Sequence, residues 1–460
     1  MNKNIINHLI KITNSQAVLF SPEDLAAYSY DGTFAEANPG VIVLPESTEQ
    51  VSRVVQLAAE NKFPVVTRGM GSGLAAGSIP YTKNSIVICL TRMNKILEID
   101  TKNAIARTEA GIVTANLQAA VEKAGLFYPP DPSSIHQSTI GGNIACNAGG
   151  PHCLKYGVTG DYVLGLTVVL ANGSILKTGG KTIKDVTGYD LKRLFTGSEG
   201  TLGIITEATL KLIVKPRFAR TALMEFDSLE DASRTVNAVL TAGITPASLE
   251  LMDQTALICI EEAMNLGLNT DIEASLLIET DGNDEITVSN EIDTIAEICK
   301  ETGARSVQIA QNTAERDTLW LARRSISPSL ARKAPNKLGE DITVPRSAIP
   351  EVVQTIRGIS ERYQLPIVIF GHAGDGNLHP NILFDKRQAD QWEKVEKMIA
   401  EIFDAALTVG GSLSGEHGVG AFKRPYLKNA LGAISIGIQK QIKKTLDPDN
   451  ILNPGKIFPE

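Results

Sequence analysis

Glycine-dense segments set between apolar, strand-like runs are what most restrict how this chain can fold. Arg68 to Gly77 (RGMGSGLAAG) follows the strand-like PVVT, and from Tyr128 to Thr206 the sequence is rich in Gly, Pro, Asn, Ser and Thr without low-complexity repetition. Two further loops, GHAGDGNLHPNI (Gly371 to Ile382) and GGSLSGEHGVG (Gly410 to Gly420), punctuate the C-terminal half. Glycine costs backbone entropy on ordering and adds no side chain to a core, so this much ordered glycine points to backbone that approaches a ligand. No internal repeat with a period of about 20–50 residues is present.

With 460 residues, 43% of them hydrophobic and 21% charged, two or three domains with sizeable cores are expected. The net charge of −8 and a pI near 5.5 leave no basic field for a polyanion, so nucleic acid is excluded as a partner. The longest apolar run, Tyr162 to Ala171, is interrupted by Gly165 and has about half the roughly 20 residues that a spanning helix needs; no membrane span is expected. The N-terminal MNKNIINHLIKITNSQ reads as an ordinary first helix, so a cytoplasmic location is expected. Cys89, Cys146, Cys153, Cys259 and Cys299 form no CxxC pair, so redox work would need an organic cofactor.

Along the chain, Val41 to Pro45 reads as a buried strand, followed by a helix carrying Val51, Val54, Val55 and Ala58 at helical spacing. SIVICL is another strand, and Lys95 to Ile112 alternates like a hairpin. Near Lys215 to Arg217 glycine thins out and a regular strand and helix alternation begins. TALMEF, SLELM, SLLIET and PIVIF read as strands; helices are expected after Asp227, Thr255, Asp284 and Pro350, and from about Gln388 to Thr408. The class is α+β.

TRGMGSG presents successive unobstructed backbone N–H groups, the geometry of an anion-binding nest, although a plain tight turn would use the same residues. Neither GxGxxG nor GxxxxGK[ST] occurs, so a nicotinamide fingerprint and a P-loop are both unsupported. His372 and His379 stand with six residues between them in a Gly/Asp-rich loop, and the pair Glu416 and His417 stands in the next one. That spacing is compatible with a mixed N/O metal site; a purely structural role for each histidine is the alternative.

PPDPSSIHQSTIGGNIACNAGG, KYGVTGDYV and TGYDLKRLFTGSEGTLGIITEATLKL, together with RGMGSG, resemble the FAD domain of the vanillyl-alcohol oxidase and PCMH-type flavoproteins. GHAGDGNLHPNI, GEHGVG and LDPDNILNPGKIF are similar to the branch containing the D-type polypeptide of glycolate oxidase, D-lactate dehydrogenase and D-2-hydroxyglutarate dehydrogenase. The resemblance runs from about residue 20 to the end. It implies a two-part PCMH-type FAD-binding domain over 1–216, an α+β substrate and metal (cap) domain with an antiparallel sheet over 217–423, and a segment 424–460 returning to the FAD domain.

It also implies site residues. Arg68, Gly69, Met70, Gly71, Ser72 and Gly73 would meet the FAD diphosphate. Pro129, Asp131, Ser138, Gly141, Gly142, Asn143, Ala148, Gly149, Gly157, Glu199, Gly200, Gly203 and Ile205 would line the rest of the cofactor. Noncovalent FAD is expected, because Met70 and Ser72 flank Gly71 where some relatives carry an attaching His or Cys. Cys146 reads as a small buried residue. His372, His379 and Glu416 would hold a divalent metal (Zn, Fe or Mn), and His417 would act as base. Arg323, with Arg324 as its near competitor, would bind the substrate carboxylate and Asn381 would contact the substrate; Ser327 and Lys337 align only loosely.

The implied reaction is oxidation of a small 2-hydroxy acid, D-lactate favoured, by hydride transfer to flavin N5. Glycolate and D-2-hydroxyglutarate stay open. A flavin-dependent C–O bond-forming synthase and a noncatalytic FAD-holding subunit are the alternatives of other classes; no tract for a long acyl chain and an intact His372, His379, Glu416 and His417 set weigh against them. The electrons would pass to an external acceptor such as electron-transfer flavoprotein subunits in a complex, and any NAD site would lie on that partner.

Overall fold

The protein, described by a computed structural model over residues 1–459, divides into two compact units. One comprises Met1–Gly149, Val158–Lys215 and Glu416–Glu460; the other comprises Gly150–Gly157 and Pro216–Gly415. One junction falls between Lys215 and Pro216, and the first unit resumes at Glu416. Inclusion of Gly150–Gly157 in the second unit was not expected from sequence. Its cause is a set of long-range polar contacts: Lys155 Nζ lies 2.5 Å from Asp281 Oδ1, Tyr156 donates to Asp281 Oδ2 at 2.6 Å, and Ser248 Oγ donates to the Pro151 carbonyl at 3.0 Å.

In the first unit, strands Val18–Leu19, Val41–Val43, Ile86–Cys89 and Val65–Arg68 form a four-stranded sheet in that spatial order. The last three pair in parallel, and their continuous Val/Ile runs are buried, as strands covered on both faces require. Helix Thr48–Asn61 connects two of them and buries Val51, Val54, Val55 and Ala58. A second, antiparallel sheet is ordered Ile96–Asp100, Ile105–Glu109, Ile204–Lys211, Val163–Val169, Ile175–Gly179. The C-terminal segment is fastened here: Val65 N donates to the Ile451 carbonyl at 2.7 Å, and Asn453 Nδ2 donates to the carbonyls of Gly77 and Glu199 at 3.0 and 2.7 Å.

The second unit is built on an eight-stranded sheet whose pairings are all antiparallel. Seven strands follow the order Ala304–Ile309, Phe218–Phe226, Ala274–Gly282, Ser248–Asp253, Ile367–His372, Asn377–Phe384, Asn336–Gly339, and Ile342–Thr343 also pairs with Asn377–Phe384. Met252, Leu277, Val368, Phe370 and Leu383 pack in one apolar cluster with Leu257, Ile260, Trp320, Ile326 and Leu330 from the helices Gln254–Met264, Thr313–Arg324 and Ile326–Lys333. Among the described residues, no helix is long and apolar enough to cross a membrane.

Asp253 closes its strand and caps the next helix, accepting from Ala256 N at 2.8 Å and from Ile369 N at 2.9 Å. Burial pushes its carboxyl up to about 7. The folded state therefore binds this proton more tightly than the unfolded chain. The group's stabilising contribution is full below about pH 4 and is lost as pH rises through 7, a span of roughly 4 kcal/mol. An Asp253→Asn protein keeps a capping oxygen and should show a flattened dependence of unfolding free energy on pH over that window; an unchanged slope in denaturant titrations at several pH values would refute the assignment.

Candidate active site

GHAGDGNLHPNI is not the loop expected from its composition but a β-hairpin: Ile367–His372 pairs antiparallel with Asn377–Phe384. Its glycines serve strand approach and the turn. A Cβ on Gly371 would lie 2.3 Å from the Asn377 carbonyl, and Gly376 sits at φ +84 where the chain reverses. Because paired residues share a sheet face and side chains alternate, the register Phe370↔His379 and His372↔Asn377 puts both imidazoles on one face as diagonal neighbours. Their ring centroids are 5.1 Å apart at 87°, and both side chains are buried.

On the other flank, the register places Glu250 directly opposite His372. This carboxylate has no solvent exposure, and its Oε1 lies 2.7 Å from His372 Nδ1. Its Oε2 accepts from Arg323 Nε at 2.8 Å, with Nη2 at 2.6 Å. Burial alone would raise the Glu250 pKa, but the facing His372 and Arg323 outweigh it and hold the group below the ordinary carboxylate value. Arg323 is 5% exposed and stacks over the Phe370 ring at 5.1 Å, whereas Arg324 is exposed and lies over Trp320, 5.4 Å from the ring centroid. The helix turn thus separates the two arginine candidates.

Asn381, on the same strand face as His379, is buried and donates from Nδ2 to the His379 carbonyl at 2.9 Å; opposite it, a Cβ on Gly339 would come within 2.6 Å of its Oδ1. Asn377 Nδ2 and Ser414 Oγ each donate to the buried Asp341 at 2.7 Å. Ser412 bridges Thr343, and a Cβ on Gly415 would fall 2.5 Å from both Thr343 Oγ1 and Asn377 Nδ2, so the chain is pinned here one residue before Glu416. Lys337 Nζ contacts Ser327 Oγ. Burial lowers the Lys337 pKa.

Glu416 and His417 open the last segment of the first unit, and Glu416 Oε1 lies 3.8 Å from His417 Nε2. The following backbone is clamped by Glu199, whose carboxylate accepts from Val419 N and Gly420 N, each at 2.7 Å. Expected to line the flavin, Glu199 thus holds the His417 loop; burial raises its pKa.

Within the first unit the phosphate loop leaves the end of strand Val65–Arg68. Gly69 and Gly71 are forced: Cβ atoms there would meet Thr139 Oγ1 at 2.3 Å and Arg68 Nη2 at 2.0 Å, and Gly71 has φ +74. Arg68 donates to the Tyr30 carbonyl at 2.7 Å, bracing the loop from beneath. Met70 is 51% exposed and nothing lies within 4 Å of a Cβ on Gly73, while the Gly73 carbonyl accepts from Gly32 N at 3.1 Å and ties the loop to the preceding segment. Buried Ser138 and Asn143 are joined through Thr114, by contacts of 2.9 and 2.8 Å, into a polar wall behind the helix Ile140–Cys146. Gly141 packs on Ala110 and Gly203 on Val168, where Cβ atoms would lie at 2.6 and 2.4 Å; Ile205 is buried and Gly200 turns at φ +71. Ala148 accepts from Thr159, and Pro129 and Gly149 are buried while Asp131 is half-buried. Gly157 lies in the second unit, at the end of the short helix Cys153–Tyr156. Cys146 is half-buried as a residue, and desolvation of its thiol pushes the pKa up to about 12.

Comparison with known proteins agrees with this organisation. The family described as FAD binding domain matches residues 39–179, and the family of FAD linked oxidases, C-terminal domain, matches residues 215–457. The chain is 47% identical to glycolate oxidase subunit GlcD of Bacillus subtilis over 459 residues, covering 100% of this chain and 97% of that one. It is 36% identical to a D-lactate dehydrogenase of Anaerostipes hadrus, covering 95% and 92%. The solved structure of p-cresol methylhydroxylase with substrate bound superposes with a TM-score of 0.83 at 17% identity, covering 99% of this chain and 96% of that one, which shows the shared PCMH-type fold. With a flavin-binding family and an oxidase family matched in order along one α+β chain, the protein belongs to the FAD-linked oxidases.

Proposed function

We propose that this FAD-linked oxidase converts a small 2-hydroxy acid, D-lactate, to the 2-keto acid, with noncovalent FAD, a divalent metal (Zn, Fe or Mn) and an external electron acceptor. The observation that carries the reading is the pair of buried imidazoles, His372 and His379, on one sheet face with a buried carboxylate behind the first. Two imidazoles with Glu416 as third ligand make a donor set suited to Zn or Fe. A divalent cation there would lower the pKa of a coordinated hydroxyl. FAD supplies, when bound, the acceptor for the substrate's electron pair.

The protein's own groups do the rest. The His417 imidazole accepts the proton of the substrate hydroxyl. The outer edge of the Arg323 guanidinium and Lys337 hold the carboxylate, and Asn381 orients the acid beside His379. Electrons leave to electron-transfer flavoprotein subunits in a cytoplasmic complex; the name of the Bacillus subtilis relative marks that protein as a subunit.

Glycolate is the second reading, favoured by that relative's name at 47% identity. Under anaerobic conditions D-lactate should bleach the flavin absorption and L-lactate should not, with loss on chelation and recovery on adding Zn or Mn. Bleaching by glycolate alone would replace D-lactate with the second reading, and a flavin left oxidised by both acids and by 2-hydroxyglutarate would overturn the reaction class.

A further inference from the structure

A carboxylate behind a metal-ligating histidine fixes the ring's tautomer and raises its basicity. Glu250 meets that geometry at His372 and adds a second contact. Its two oxygens are divided between the two functions proposed above, Oε1 facing His372 Nδ1 at 2.7 Å and Oε2 facing Arg323 at 2.6 to 2.8 Å. The sheet register holds it in place: Glu250 is opposite His372 on one neighbouring strand and opposite Leu277 on the other. His379 is supported differently, since Asp341 Oδ1 stays 3.7 Å from its Nδ1 while accepting from Asn377.

We propose that Glu250 is a positioning residue that couples metal affinity to substrate-carboxylate affinity. A donating Nδ1–H on His372 leaves Nε2 with the lone pair that a cation takes, and the same carboxylate stops the Arg323 fork from rotating away from incoming substrate. The two functions therefore weaken together when this one group is changed. The proposal rests on the metal and carboxylate roles assigned under the proposed function.

The test uses the full chain with FAD bound and Co2+ as probe, read by its ligand-field absorption and by titration. Glu250→Gln, at wild-type FAD content, should bind Co2+ about 10–100-fold more weakly and raise the KM for D-lactate. Glu250→Asp, which keeps the charge but is too short to reach both partners, should show a smaller loss of both. Should Glu250→Gln fail to fold because Arg323 is left buried without a counter-ion, the double variant Glu250→Gln, Arg323→Gln removes that cation and should still show the Co2+ defect. Asp253→Asn, a buried carboxylate on the same strand, should leave Co2+ affinity unchanged. Wild-type Co2+ affinity in any folded Glu250 variant overturns the proposal, as does an equal defect in Asp253→Asn. A wild-type protein that binds no Co2+ removes the metal reading itself, whereas Co2+ binding that ignores Glu250 leaves that reading standing and removes only the coupling.

Discussion

Replacing His417 by alanine should slow flavin reduction by D-lactate about 10²–10⁴-fold, the range expected for loss of a general base. FAD content and Co2+ affinity should stay at wild-type levels. The loop does not depend on the imidazole for its path, since Glu199 holds the backbone of Val419 and Gly420 with two 2.7 Å hydrogen bonds and Gly418 turns at φ +83. The alanine protein is thus a test of chemistry. Stopped-flow reduction under anaerobic conditions measures it directly, and a rate within a few-fold of wild type would remove His417 from the proton-accepting role.

Replacing Arg323 by methionine should cost about 3–5 kcal/mol of folding stability, because it strands a fully buried carboxylate beside His372 and the Ser248 hydroxyl with its guanidinium counter-ion gone. It should also raise the KM for the hydroxy acid. Arg323→Lys keeps the charge but not the planar fork, so it should fall between the two in stability while recovering little of the KM. In a double variant that also replaces Glu250 by leucine, much of the lost stability should return, since no uncompensated charge remains, but substrate affinity should not. Denaturant unfolding beside steady-state kinetics separates the two effects. Equal stability of the single and double variants would show that the buried pair is not the cause.

The motif residues were readable from sequence wherever their meaning is local. Gly71 in RGMGSG marks a turn at φ +74, and the residue types of His372, His379, Glu416 and His417 are compatible with a donor set. The same local reasoning misassigned the hairpin. Gly, Asp, His and Pro380 made Gly371 to Ile382 look like a loop, yet strand pairing overrode composition because Gly371 allows the two backbones to approach.

Other roles arise only from pairing at long range. Glu250 sits in SLELM, an apolar strand by pattern, and gains its function from a partner 122 positions away. Glu199 is a clamp because residues 220 positions later return to it, and Gly150–Gly157 joins the second unit through Asp281. Sequence alone supplied the residue types at the candidate site, and the resemblance of its motifs to a known family pointed to the flavin and oxidase halves. Tertiary structure decided which of two adjacent arginines is buried, which carboxylate backs which histidine, and where the chain changes unit, because strand register and burial depend on residues that the local sequence does not contain.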